Sequence, residues 1–88
     1  MTPPFRAAYI ATNTTTTVKS GTGRLHSITV GETAAGAITI YDNTAGSGTI
    51  IGVLKASIAE GTYHFPVKFT TGLTVVTAGA SKITVNYL

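Results

Sequence analysis

Short runs in which apolar and polar residues alternate, separated by glycine- and threonine-rich breaks, fill almost all of this chain and leave little room for anything but β-structure. Residues 37–41 (AITIY) alternate strictly, with Ile38 and Ile40 on one face and Thr39 and Tyr41 on the other. Residues 82–87 (KITVNY) place Ile83, Val85 and Tyr87 inward. Residues 62–69 set Tyr63, Phe65, Val67 and Phe69 on one side, with His64, Pro66 and Lys68 on the other. Such alternation means one buried face and one face turned to solvent or to a polar contact. Pro66 has no N–H to give to a ladder, so its strand lies at an edge or carries a bulge there.

Other segments carry different signals. In residues 23–32 (GRLHSITVGE), Leu25 is out of phase with Ile28 and Val30, and a bulge near His26–Ser27 would return all three to the core. Residues 47–54 and 72–77 are apolar on both parities, which predicts strands covered on both faces. The threonine run in residues 12–19 reads as a polar extended strand, since threonine favours strands. Helical periodicity is poor throughout. A single turn over residues 55–59 is the most that the sequence offers.

Breaks fall at residues 21–23, 31–36, 42–48, 60–61, 71–72 and 78–81. Strands roughly eight to twelve residues apart with such turns predict a sandwich or barrel. The candidate strands fit an all-β fold: a single small antiparallel β-sandwich, jelly-roll-like, of about eight strands. Residues 1–11, with Pro3 and Pro4, are predicted to form a short N-terminal arm that packs on a neighbour or pairs along an edge. Residues 12–88 form the sandwich domain.

A chain of 88 residues is one domain, and it buries only roughly 60–65% of its unfolded surface. Small domains compensate with disulfides, metals or association. Cysteine is absent, and His26 and His64 fall short of the four ligands of a structural zinc site. Association is what remains, and composition agrees: charged residues make up 10% of the chain, against about 25% in typical domains. Six basic residues against three acids give a net charge of +3. They are spread singly along the sequence and read as scattered solubilising charges, with a mild attraction to an acidic partner as the lesser alternative. A nucleic-acid binder clusters its cations among aromatics, so no nucleic-acid partner is expected. No apolar stretch approaches membrane-spanning length and no secretory signal opens the chain, so no membrane partner is expected.

The residues suited to catalysis are few. Glu32, Asp42 and Glu60 are the only carboxylates, while threonine occurs 18 times and glycine ten. An active site needs converging titratable groups, so the chain is read as a non-enzyme without cofactors. His26, His64 and Asp42 lack metal-ligand spacing, and each histidine reads as an isolated strand residue. Residues 42–48 (DNTAGSG) have neither the closing glutamate of a calcium loop nor the lysine of a phosphate loop. They read as a hairpin connection capped by Asp42 and Asn43. A Ser27–His26–Asp42 triad is set aside because adjacent strand residues face opposite sides. The aromatics, including Tyr41, Tyr63 and Tyr87, are read as core or subunit interface, with a sugar-stacking platform as the alternative.

The succession LHSITVG (residues 25–31), AITIYDNTAGSGT (37–49), EGTYHFPVKFTTGLTVVTAG (60–79) and KITVNYL (82–88) resembles a group of small β-sandwich structural proteins of tailed bacteriophages. Several members of that group look like capsid cement or decoration proteins. The resemblance covers roughly residues 18–88 and is one of cadence, with no catalytic signature and no motif residues to carry over as a site. It implies a virion structural protein on the outer capsid surface, assembled in the host cytoplasm, that bridges neighbouring major capsid subunits and stabilises the mature head. The partners would be the major capsid protein and further copies of the chain, as a homotrimer or alternatively a dimer. Alternatives are a head-fibre or tail-associated component, or a small carbohydrate-binding attachment module. The expected contact residues are Phe5, Arg6 and Tyr9 in the arm and Thr15, Thr17 and Lys19 in the threonine strand, chosen because they are least explicable as core.

Overall fold

The computed structural model describes residues 6–88. Phe5, one of the expected contact residues, lies outside them. Eight strands follow one another: β1 (Arg6–Ile10), β2 (Thr14–Ser20), β3 (Gly23–Glu32), β4 (Ile38–Asp42), β5 (Thr49–Leu54), β6 (Gly61–Phe69), β7 (Gly72–Thr77) and β8 (Lys82–Tyr87). They form two four-stranded antiparallel sheets, sheet I in the order β1-β8-β3-β6 and sheet II in the order β2-β7-β4-β5. Every connection except β4–β5 crosses between the sheets, giving the eight-stranded jelly-roll sandwich.

The inner faces supply the core. Leu25, Ile28, Val30, Ile83, Val85 and Phe69 from sheet I meet Ile38, Ile40, Leu54, Leu73 and Val75 from sheet II, all buried. Ile38, Ile40, Ile83 and Val85 point inward as their alternation predicts, and Tyr87 packs against the cluster. β3 carries the phase slip. Leu25 pairs with Tyr87 and Ser27 with Asn86, so His26 is an extra residue opposite β8, and Leu25, Ile28 and Val30 are all buried. β6 and β8 keep their alternation across this point, so the irregularity belongs to β3. Pro66 lies between the Val67–Leu25 and His64–Ser27 pairs, on an edge strand and at the slip. Its missing N–H costs least there.

Of the two courses expected for the arm, β1 takes the second and pairs along an edge. From Arg6 to Ile10 the chain is an edge strand of sheet I, paired along its whole length with β8 and burying Ile10. The alternation of Ala8 and Ile10 toward the core draws this segment into sheet I. Residues 55–58 form a β-turn and not a helical turn: Ile58 N–H donates to the Lys55 carbonyl (3.2 Å) and Ser57 has φ of 55°. Opposite β1, the edge strands β5 and β6 close the sandwich. The Phe65 ring lies where a Cβ on Gly52 would stand, 2.8 Å from that position, so glycine is required for the ring to reach β5.

β7 is covered on both faces, as its composition predicts, and the second cover is the β4–β5 loop. Thr74 Oγ1 donates to the Asn43 carbonyl (2.7 Å) and Thr17 Oγ1 to that of Thr44 (3.0 Å). Gly46 sits over Thr15 and Val76. Within the loop, Asn43 Nδ2 donates to Ser47 O and Asn43 Oδ1 accepts from Thr44 N–H. Asp42 reaches further than its own loop. Its carboxylate accepts from the N–H groups of Thr71 (2.9 Å), Thr70 (3.1 Å) and Gly72 (3.4 Å), capping the β6–β7 turn.

Two expectations follow. Phe69→Ala removes the largest buried side chain and should destabilise the fold by about 3–5 kcal/mol, read from the midpoint of denaturant unfolding. The Thr71 N–H bond, aided by those of Thr70 and Gly72, holds the Asp42 carboxyl below its ordinary value of 3.8. Its stabilising effect is therefore complete above pH 3.8 and disappears as the pH falls through the lowered value. The stability difference between the wild type and Asp42→Asn should shrink over that interval, and a difference constant with pH would contradict this role.

Candidate functional site

Each strand end belongs to one of two rims of the sandwich. The first rim gathers the start of β1, β3, β5 and β7 and the end of β2, β4, β6 and β8. Arg6, Lys19, Arg24 and Lys68 all stand within two residues of this rim. Asp42 is the only acid there, and its carboxylate is already occupied by the turn amides. The opposite rim holds Lys55 and Lys82 with Glu32 and Glu60 and is neutral. There Lys82 and Glu32 form an exposed ion pair (3.4 Å), and Glu60 accepts from Thr33 N–H (3.2 Å). The entire formal excess of +3 therefore resides at one end. The expectation of scattered charge is corrected: the cations are single in sequence, but chain reversal at every strand sorts them to one rim.

Leu88 sits within this basic end. Arg24 and Leu88 exchange two backbone hydrogen bonds, and Lys19 Nζ donates to the Leu88 carbonyl (3.3 Å), linking sheet II to sheet I. Arg24 and Lys68 are directly opposite each other on β3 and β6, both exposed. Arg6 is exposed opposite Tyr87.

A second surface is apolar. The outward positions of β2, β4, β5 and β7 carry no charged residue. Ile50 and Val53 on the edge strand β5 are each 53% exposed, paired with the half-buried Tyr41 and Thr39. Sequence composition predicts cover on both faces of β5. In the structure its outer face is bare.

The outer face of sheet I is polar. His26 and His64 stand edge to face with ring centroids 5.8 Å apart, which corrects the reading of two isolated histidines. His26 Nδ1 is 3.0 Å from Ser27 Oγ, and Asn86 Nδ2 donates to the same oxygen (3.1 Å). The opposition rule fails here because the slip in β3 turns both neighbours outward. Asp42 is on the other sheet, at the Thr70–Gly72 turn. Among the described residues, no group of three His, Cys, Asp or Glu side chains is placed to hold a metal ion.

The expected contact residues divide between surfaces. Arg6 and Lys19 meet at the basic end, whereas Tyr9, 67% exposed, projects from the outer face of sheet I beside Thr84. Thr15 and Thr17 face outward on sheet II, but the β4–β5 loop of the same protomer engages both. The tyrosines expected of a sugar platform do not form one. Tyr63 and Tyr87 pack against the core, the Tyr63 hydroxyl donates to the Ala59 carbonyl, and Tyr41 faces outward on the other sheet. Ile50 and Val53 were legible as apolar residues but not as exposed ones, because parity alone does not show which face is left open.

No family model matches the chain, and no curated protein matches it. Among solved structures it is similar to the NLP core of Drosophila, whose crystal structure provides insight into pentamer formation and histone binding. The TM-score is 0.60 at 14% identity, over 98% of this chain and 97% of that one. At that identity the likeness is one of fold alone.

Proposed function

We propose that the chain is a virion structural protein of the capsid cement type, which self-associates and bridges neighbouring major capsid subunits on the outer shell. The observation that carries the self-association is the bare, uncharged outer face of β5, where Ile50 and Val53 stand exposed on a free strand edge. Apolar surface of this kind at an unpaired edge is what subunits cover on assembly. A low-charge protomer with a small core gains stability from such burial. The phage cadence in the sequence supports the capsid setting, and several copies held together convert weak single contacts into firm attachment. A homotrimer is the working stoichiometry.

The Drosophila core shares the fold, and its pentamer makes assembly by such a fold plausible chemistry for this chain as well. Its histone binding does not transfer on charge grounds. Histones are basic, and this chain carries a net +3 with three acids in all.

Light scattering across a dilution series should give a concentration-stable multiple of the protomer mass, and Ile50→Asp/Val53→Asp should reduce it to the protomer. A wild-type monomer at every concentration would sink the assembly reading. For location, antibody against the purified chain should place gold on the heads of the phage particles whose genome encodes it. Gold on tails or fibres would favour the tail-associated reading, and unlabelled particles would remove the virion assignment.

A further inference from the structure

We propose that the basic end of the sandwich binds an acidic protein surface, with Arg24 and Lys68 taking its carboxylates. This rests on the reading that the chain docks on another protein, and it names the docking surface and the chemistry of the partner. The first ground is charge. Arg6, Lys19, Arg24 and Lys68 crowd one rim, and among the described residues no ion pair with an acidic side chain forms there, Lys19 donating only to the Leu88 main-chain oxygen. Asp42, the one acid nearby, spends its carboxylate on the Thr70, Thr71 and Gly72 amides.

The second ground is a conflict within the fold. Arg24 and Lys68 are direct cross-strand partners, and like charges so placed destabilise a sheet. Local rules are broken in this way where function requires it. An anion between the two strands would turn the repulsion into attraction, and a guanidinium offers a carboxylate two parallel hydrogen bonds.

The third ground separates a protein partner from a nucleic acid. Single-stranded nucleic acid is held by cations combined with exposed aromatic faces. Here the described aromatics at the rim are Phe69, fully buried, Tyr87, packed against the core, and Tyr41, half-buried on the outer face of sheet II and so on the other sheet from Arg24 and Lys68. The exposed neighbours are instead the threonines Thr22, Thr70 and Thr71. Thr22 and Thr70 already give their hydroxyls to Phe69 O and Asp42 Oδ2, and none of the three offers a stacking face.

The test uses the full chain with poly-L-glutamate and, in parallel, single-stranded oligothymidylate, by fluorescence anisotropy at low and high salt. Poly-L-glutamate should bind more tightly than oligothymidylate, and salt should weaken that binding. Arg24→Glu/Lys68→Glu should lose affinity by about tenfold or more, as expected for two exposed charge pairs reversed in sign. Lys55→Glu/Lys82→Glu alters net charge equally at the neutral rim and should bind within about twofold of wild type. Arg24→Gln/Lys68→Gln should lie between, which guards against misfolding of the reversal variant. Equal loss in both reversal variants, no binding of poly-L-glutamate, or tighter binding of oligothymidylate would overturn the proposal. Each of these leaves the light-scattering mass and the gold labelling untouched, so the two readings fail separately.

Discussion

Two sheets of this size exclude water from the space between them only if every strand offers its apolar side to that space, and β3 is where this condition is hardest to meet. β3 lies inside sheet I, between β8 and β6, so both neighbours fix its register. Leu25 and Ile28 are three residues apart and both must point inward, which regular alternation forbids. The extra residue at His26 resolves the conflict, and its effects spread outward. Leu25, Ile28 and Val30 enter the core, Pro66 finds a place where the ladder is already interrupted, and His26 and Ser27 share the outer face. One irregular residue thus sets both the packing inside sheet I and the polar cluster on its back.

Much of this architecture was legible from parity. The alternation of β4 and β8, the slip in β3 and the edge position of β6 are properties of local sequence, because the two-residue period of a strand links identity directly to face. What escaped depends on distant residues. Sorting of Arg6, Lys19, Arg24 and Lys68 onto one rim depends on which way each strand runs. Local sequence presents Asp42 as the cap of its own loop, whereas its hydrogen-bond partners lie about 30 residues away on the β6–β7 turn. Which edge residues 6–10 would pair along was not legible, because Ala8 and Ile10 are weak apolar signals until β8 is known to lie beside them.

The surfaces differ in kind, and the difference follows from the layering. Around β5, sheet II presents aliphatic side chains and no charge, a surface whose burial is favourable wherever it occurs. The rim at Leu88 presents four cations, a surface that discriminates by sign and acts over a distance. The β4–β5 loop stands between them, since it covers Thr15, Thr74 and Val76 while Asp42 anchors its base to the rim. In the proposed assembly the β5 side meets further copies while the rim stays open to the acidic partner.

The pairing of β1 with β8 has a consequence for how the protein is made. β8 is an interior strand of sheet I, flanked by β1 and β3, yet it is the last strand in chain order. Until residues 82–87 leave the ribosome, β1 has no hydrogen-bonding neighbour and β3 lacks one of its two. Neither sheet I nor the core it closes is complete before β8 is in place. Folding is therefore dominated by contacts between residues far apart in sequence, the slow regime for a domain of this length. In the interval, the apolar strands made first are exposed together, and rapid completion of β8 is what withdraws them from aggregation.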